Sequence, residues 1–292
     1  MQHNIKTILT ALKISDLDSF ESFFPQTRDR DDISVLRCKK SGVIILSQTN
    51  HINSSHYQNQ TNYSYWQSIN RSDSLDKTYV DDCRRAQQFR HLIKNENWLD
   101  IGTGNGGLLD LLKNESKVTQ AVEPQANVRS ELTKLGYTVY SDLSDAPNRY
   151  FKILTLFHVL EHLNNPISLL QEAKQKLVAG GTIVVEVPHA KDALIALYNC
   201  EAFKRSSFWS EHLLLHTKVS LSTFLRAAGF KNVTVTGFQR YPISNHLYWL
   251  SNSKPGGHQT WHFLDNEALN QAYAEMLDSN DYTDTLIAYG SA

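Results

Sequence analysis

The sequence is short of the features that would settle its class at once. Its three cysteines, Cys38, Cys83 and Cys200, are odd in number and far apart, which excludes a disulfide framework and fits a reducing compartment. No apolar run reaches the roughly 18 residues that a membrane span needs, and the first residues lack the apolar stretch of a signal peptide. A cytoplasmic protein without membrane contact is expected. Net charge is scarce too: 29 Lys and Arg stand against 30 Asp and Glu, so no overall field draws in nucleic acid or an anionic surface. Internal repeats and low-complexity blocks are missing. The expected partner is a small-molecule substrate, met by a monomer or homodimer.

What the chain does have is 41% hydrophobic residues over 292 positions, enough for one substantial core with additions. Its most informative stretch is N-W-L-D-I-G-T-G-N-G-G, residues 97–107. Trp98, Leu99 and Ile101 read as a buried strand, and Leu108, Leu109, Leu111 and Leu112 take a helical period. Between them, Gly102, Gly104 and Gly106 let a ligand lie against bare backbone at a helix start. About twenty residues on, after the apolar strand 118–122, Glu123 is placed to accept hydrogen bonds from two ribose hydroxyls. The ligand is therefore read as an adenosine derivative. Gly102, Gly104 and Gly107 also satisfy the dinucleotide pattern, which keeps a nicotinamide-dependent oxidoreductase or a non-catalytic nucleotide-binding module open. Asp100 leans the other way, since an acid there suits a positively charged ligand bearing an ammonium group better than a pyrophosphate.

The run D-I-G-T-G-N-G from Asp100 resembles the first motif of the class I S-adenosylmethionine-dependent methyltransferases. F-H-V-L-E-H-L-N-N-P from Phe157, L-V-A-G-G-T from Leu177 and V-E-V-P-H from Val185 are similar to the family's later blocks, in the same order. The resemblance implies an α/β fold: a doubly wound, mostly parallel, seven-stranded, Rossmann-like sheet with one reversed edge strand. It implies S-adenosylmethionine as cofactor, with Asp100 and the glycines at the methionine end, Glu123 on the ribose, and Asp142, Leu143 and Phe157 about the adenine. Residues 77–252 would be the catalytic domain, behind a helix, hairpin and aromatic lid in 1–76 and ahead of an extension in 253–292.

Two further features are similar to sugar and surface-polysaccharide C- and O-methyltransferases. Cys38-Lys39-Lys40-Ser41-Gly42, between strands at 34–38 and 42–46, resembles half of a zinc ribbon with Ser41 in place of the second cysteine. Zinc needs four good donors, and no second cysteine pair exists, so no metal is expected. Glu211-His212 matches the pair that supplies the base in some of those enzymes, while His158 and His162 are alternative bases. Glu161 is read as structural. The implied reaction is O- or C-methyl transfer to a polar, phosphorylated or nucleotide-linked sugar or related metabolite. Methylation of a quinone precursor is the competing reading, and it would call for an apolar pocket.

The remaining expectations are local. Residues 47–74 are polar yet rich in aromatics, and at least one of Tyr57, Tyr63 and Tyr65 is expected to reach the ligand, either as a lid or as a staple into the core. Residues 78–94 read as a helix beside the sheet, with Val80, Cys83, Ala86, Phe89 and Ile93 on its packed stripe. Residues 239–250 are expected to form the final antiparallel strand. Arg240, Asn245, Lys254 and His258 either gather into a site for phosphate or sugar hydroxyls or form a surface turn.

Overall fold

The computed structural model describes residues 4–52, 56–57, 68 and 70–292. Apolar residues at helical spacing open it: Ile5 and Leu9, one turn apart, are the buried residues of α1 (Asn4–Ala11). Next come β1 (Phe20–Phe24), β2 (Val35–Cys38) and β3 (Ile44–Leu46), all antiparallel neighbours. The hairpin between β2 and β3 turns where it was expected, with Gly42 at φ +76°. In α2 (Arg71–Ile93), Asn70 caps the start by accepting from the Asp73 amide, and Ala86, Phe89 and Ile93 are buried. Val80 is instead 80% exposed, and the acid Asp82 is buried in the face that packs.

The central layer follows as β4 (Asn97–Ile101), α3 (Gly107–Leu112), β5 (Val118–Val122), α4 (Ala126–Lys134), β6 (Thr138–Tyr140), β7 (Phe151–Phe157), α5 (Pro166–Lys176) and β8 (Leu177–Pro188). After α6 (Ala193–Ala196) and α7 (Glu201–Ser207), β9 (Leu214–Leu215) returns to pair with β3 and completes a four-stranded sheet. The chain ends with α8 (Lys218–Ala227), β10 (Lys231–Phe238), α9 (Ile243–Asn252), α10 (Gly257–Thr260), α11 (Glu267–Ser279) and β11 (Thr285–Ser291).

The large sheet has the order β10-β11-β8-β7-β4-β5-β6. Strands β8, β7, β4, β5 and β6 are parallel, and β11 is antiparallel to both β8 and β10. The chain leaves β4 toward β5 and β6 and then crosses back to β7, so a crevice opens at the carboxyl ends of β4 and β7. Alternation along the strands divides the core. Leu99, Leu154 and Val185 join the layer that holds α5 and α8, whereas Trp98, Ile153 and Val184 join the layer that holds α2, α3 and α4.

Two expectations are corrected. Residues 239–250 are not the reversed strand, because Pro242 cannot donate to a ladder and the chain turns there into α9, with Tyr248 and Trp249 buried on one side. The reversed strand is β11, drawn from the segment read as an extension, and it lies inside the sheet rather than at its edge. Its Leu286, Ile287 and Ala288 are buried on both faces. Leu286→Ala should therefore cost about 2–5 kcal/mol, while Leu250→Ala, on a side chain 44% exposed, should cost under about 0.5 kcal/mol. Urea unfolding midpoints compare the two, and equal losses would contradict this placement.

Candidate active site

The crevice holds a cleft of about 620 Å³. The turn after β4, the ends of β5, β6 and β7, and the first half of α2 line it, with Ile52 and Tyr57 at its rim. Gly102, at φ +73°, forms part of the floor; a Cβ there would stand 2.5 Å from Val159 Cγ2, so no side chain fits. Glu123, at the end of β5, is buried, and its two oxygens accept from the Gly104 amide at 2.9 Å and the Gln125 amide at 2.8 Å. Burial outweighs these bonds and raises its pKa to about 7. Each oxygen keeps an acceptor site for a further donor. Asp142, Leu143 and Phe157 line the same half. One oxygen of Asp142 accepts from the Ser144 amide, which lowers its pKa, and Phe157 stacks on Phe89 with centroids 5.2 Å apart.

Charged side chains line the other half, beside Val159, Leu163 and Leu169. Lys77, Asp81, Asp82 and Arg85 from α2 face His158 and His162 from the loop after β7. His158 takes a left-handed backbone, φ +55°, a strained conformation that costs about 1–3 kcal/mol. Its Nδ1 lies 3.0 Å from Glu161 Oε1 and its Nε2 3.4 Å from Glu186 Oε1. Burial alone would lower the His158 pKa, but these two carboxylates outweigh it and raise it. Glu186 is fully buried on β8; Arg84 meets both of its oxygens at 2.9 and 2.8 Å, and Arg85 adds bonds of 3.1 and 2.7 Å. Burial would raise that carboxyl, yet Arg85, His158 and Arg84 hold it well below the usual range.

The other two candidate bases sit differently. His162 is buried with Nδ1 3.2 Å from the Tyr57 hydroxyl, and burial holds its pKa near 3. His212 stacks edge-on against His162 at 4.9 Å and is also held near 3 by burial, but it does not line the cleft. Glu211 pairs with His56 at 3.1 Å, on the far side of that loop. An imidazole held near 3 is a weak proton acceptor at neutral pH, and His158 favours keeping its proton.

The methyltransferase-domain family matches residues 77–235, more than half of the chain, including the five parallel strands β4 to β8. The chain belongs to this family. Solved structures with the same fold include S-adenosylmethionine-dependent methyltransferases from Archaeoglobus fulgidus and Thermotoga maritima. The first is 18% identical over 73% of this chain and 94% of its own, with a TM-score of 0.51; the second is 17% identical over 78% and 93%, with a TM-score of 0.50. A methyltransferase of Haloferax volcanii, solved with the Trm112 activator, is 15% identical over 80% and 98%, with a TM-score of 0.51. No curated protein matches the sequence. Among the described residues no helix is long and apolar enough to cross a membrane.

Several residues read from the methyltransferase's sequence lie away from the cleft wall. Asp100 is buried behind the turn, where its Oδ1 accepts from Thr155 at 2.6 Å and Thr155 accepts from Trp98 Nε1 at 2.8 Å. Burial raises its pKa to about 6. Gly106 caps α3 and packs on Leu132. The four residues read as an anion site do not face one cavity. Arg240 is half-buried and paired with Asp81, Lys254 lies over the Tyr248 ring, and His258 bonds Asn245 at 3.3 Å. Arg240 is thereby occupied by a carboxylate, as its raised pKa reflects. Tyr57 reaches the cleft; Tyr63 and Tyr65 lie outside the described residues. The sequence reading missed the cleft-facing side of α2, although the run Asp81-Asp82-Cys83-Arg84-Arg85 inside an otherwise packing helix was its signal.

Glu186→Gln should destabilise the methyltransferase by about 3–5 kcal/mol, because it leaves two half-buried guanidiniums short of a counter-charge. Since the native carboxyl titrates well below its ordinary 4.5, this contribution is present above pH 4.5 and is lost only as pH falls through the depressed value. Urea unfolding of both proteins from pH 5 to 8 should show a gap throughout, smaller at the alkaline end, where His158 gives up the proton that Glu186 helps it hold; the absence of a gap at pH 8 would contradict it.

Proposed function

We propose that the methyltransferase binds S-adenosylmethionine along the β4–β5 side of the cleft and methylates a polar, hydroxyl-bearing small molecule in the half lined by α2. When bound, that cofactor supplies an already activated methyl group on a sulfonium, so the protein's tasks are alignment, exclusion of water and management of one proton. The remaining acceptor sites on Glu123 suit two ribose hydroxyls, and the bare backbone of Gly102 and Gly104 allows close approach. Asp142, Leu143 and Phe157 flank the space left for an adenine. Asp100 acts from behind, through Thr155, as a positioning residue.

The observation that carries the acceptor class is the wall made by Lys77, Asp81, Asp82, Arg85, His158, His162 and Asn164. Both charge signs and several donors there suit a sugar or related metabolite, phosphorylated or nucleotide-linked, better than the apolar ring of a quinone precursor. Of the sequence-read bases, His158 and His162 border the cleft; His158 favours keeping its proton and His162 is held at a low pKa, so alignment carries more of the rate than proton abstraction by imidazole.

Glu123→Gln should weaken S-adenosylhomocysteine about 10- to 100-fold, the loss expected for charge-assisted hydrogen bonds. In the wild type the carboxyl titrates near 7, above its ordinary 4.5, so the apo protein is penalised as pH rises from 4.5 through 7. The melting-temperature gain from S-adenosylhomocysteine should grow over that range and stay flat in the variant; equal pH dependence would remove Glu123 from the site. For the acceptor, cofactor carrying a labelled methyl is incubated with sugar phosphates, nucleotide-sugars and dihydroxylated quinone precursors. Label on the last group alone would overturn the polar-acceptor reading.

A further inference from the structure

Two loops bring three ligand-type side chains to one volume beside the cleft. Glu161 and His162 come from the 3-10 turn after β7, and His212 comes from the loop before β9. One donor atom from each lies within 4.8 Å of the others. We propose that Glu161, His162 and His212 form a binding site for a divalent transition-metal ion at the acceptor end of the cleft.

The carboxylate is the first reason. Glu161 is 0% exposed, its Oε1 accepts from His158, and its Oε2 has no hydrogen-bond partner. A buried carboxylate oxygen without a donor is costly, and a cation bound to it removes that cost. The imidazoles are the second reason. The two rings meet edge-on with centroids 4.9 Å apart, which brings one nitrogen of each within reach of the Glu161 carboxylate.

The surroundings hold the three in place. The Leu213 amide donates to the Glu161 carbonyl at 2.8 Å and ties the two loops together. Trp209 packs edge-on against both rings, 5.9 Å from His162 and 5.4 Å from His212. The Tyr57 hydroxyl beside His162 Nδ1 orients that ring from outside, as outer partners do for metal-bound histidines. Two imidazoles and one carboxylate suit zinc, manganese, cobalt or ferrous iron better than magnesium or calcium, and three protein ligands leave positions open. No thiolate is involved, which is why a search for a cysteine set passes over this site.

The inference deepens the proposed function and rests on it in one respect: His162 lines the acceptor half, so an ion here would meet an acceptor oxygen. A metal-bound hydroxyl loses its proton more readily.

The test uses the full chain, stripped with a chelator and dialysed. Isothermal titration with zinc or manganese, and the visible absorption of added cobalt, should report one ion per chain. Glu161→Gln and His212→Ala should each weaken that binding at least about 10-fold, with S-adenosylhomocysteine affinity unchanged and melting behaviour confirming the fold. Should Glu161→Gln fail to fold, His212→Ala decides alone. Absence of binding in the wild type, or binding as tight in the variants, overturns the metal site. Failure of the methyltransferase reading appears separately, as absent heat on titration with S-adenosylhomocysteine.

Discussion

A single buried carboxylate, Glu186, governs the geometry of the active-site cleft. It stands on β8 beneath α2 and is met by Arg84 and Arg85 from that helix and by His158 from the neighbouring loop. Such a cluster adds little stability over well-packed apolar residues, but it specifies position, since two guanidiniums on one carboxylate fix both the rotation and the slide of the helix. With α2 fixed, Asp81 meets Arg240, and Asp82 lies against Gly107, where a Cβ would be 2.1 Å from its Oδ2. The helix that looks like packing material thereby becomes one wall of the site.

Around that anchor the protein tolerates several locally unfavourable features. His158 holds a left-handed backbone, Asp100 and Glu123 are carboxyls that burial drives toward neutrality, and Glu161 keeps an unpaired oxygen. All gather at the carboxyl edge of the parallel strands. The two apolar layers on either face of the sheet carry the stability that permits this. The cleft is correspondingly divided, with backbone amides and one carboxylate on the β5 side and dense ionic pairing on the α2 side.

The N-terminal segment is part of the same construction. Its β3 accepts β9 as a fourth strand, and the loop leading into β9 is held by Asp29 on Ser210, Arg28 over Trp209, His51 on the Ser210 carbonyl and His56 on Glu211. That loop carries His212. The segment ahead of the family's domain therefore sets the position of a residue beside the cleft, in addition to lining the cleft through Ile52 and Tyr57.

Local patterns determined what was legible in the sequence. Strands 97–101, 118–122 and 151–157, the glycine turn and Glu123 depend on periodicity and backbone freedom within a few residues, and each was readable. Three kinds of information were not. The strand identity of 285–291 depends on partners about a hundred residues away in β8, since three apolar residues alone have no period. The helix at 243–252 and the pairing of Arg240 depend on which surfaces α11 and α2 present. The meeting of Glu161, His162 and His212 depends on two loops brought together by one backbone hydrogen bond. Residue type and short-range spacing belong to the chain; the burial that lowers His162 and His212 and the carboxylates that raise His158 exist only once distant segments close around them.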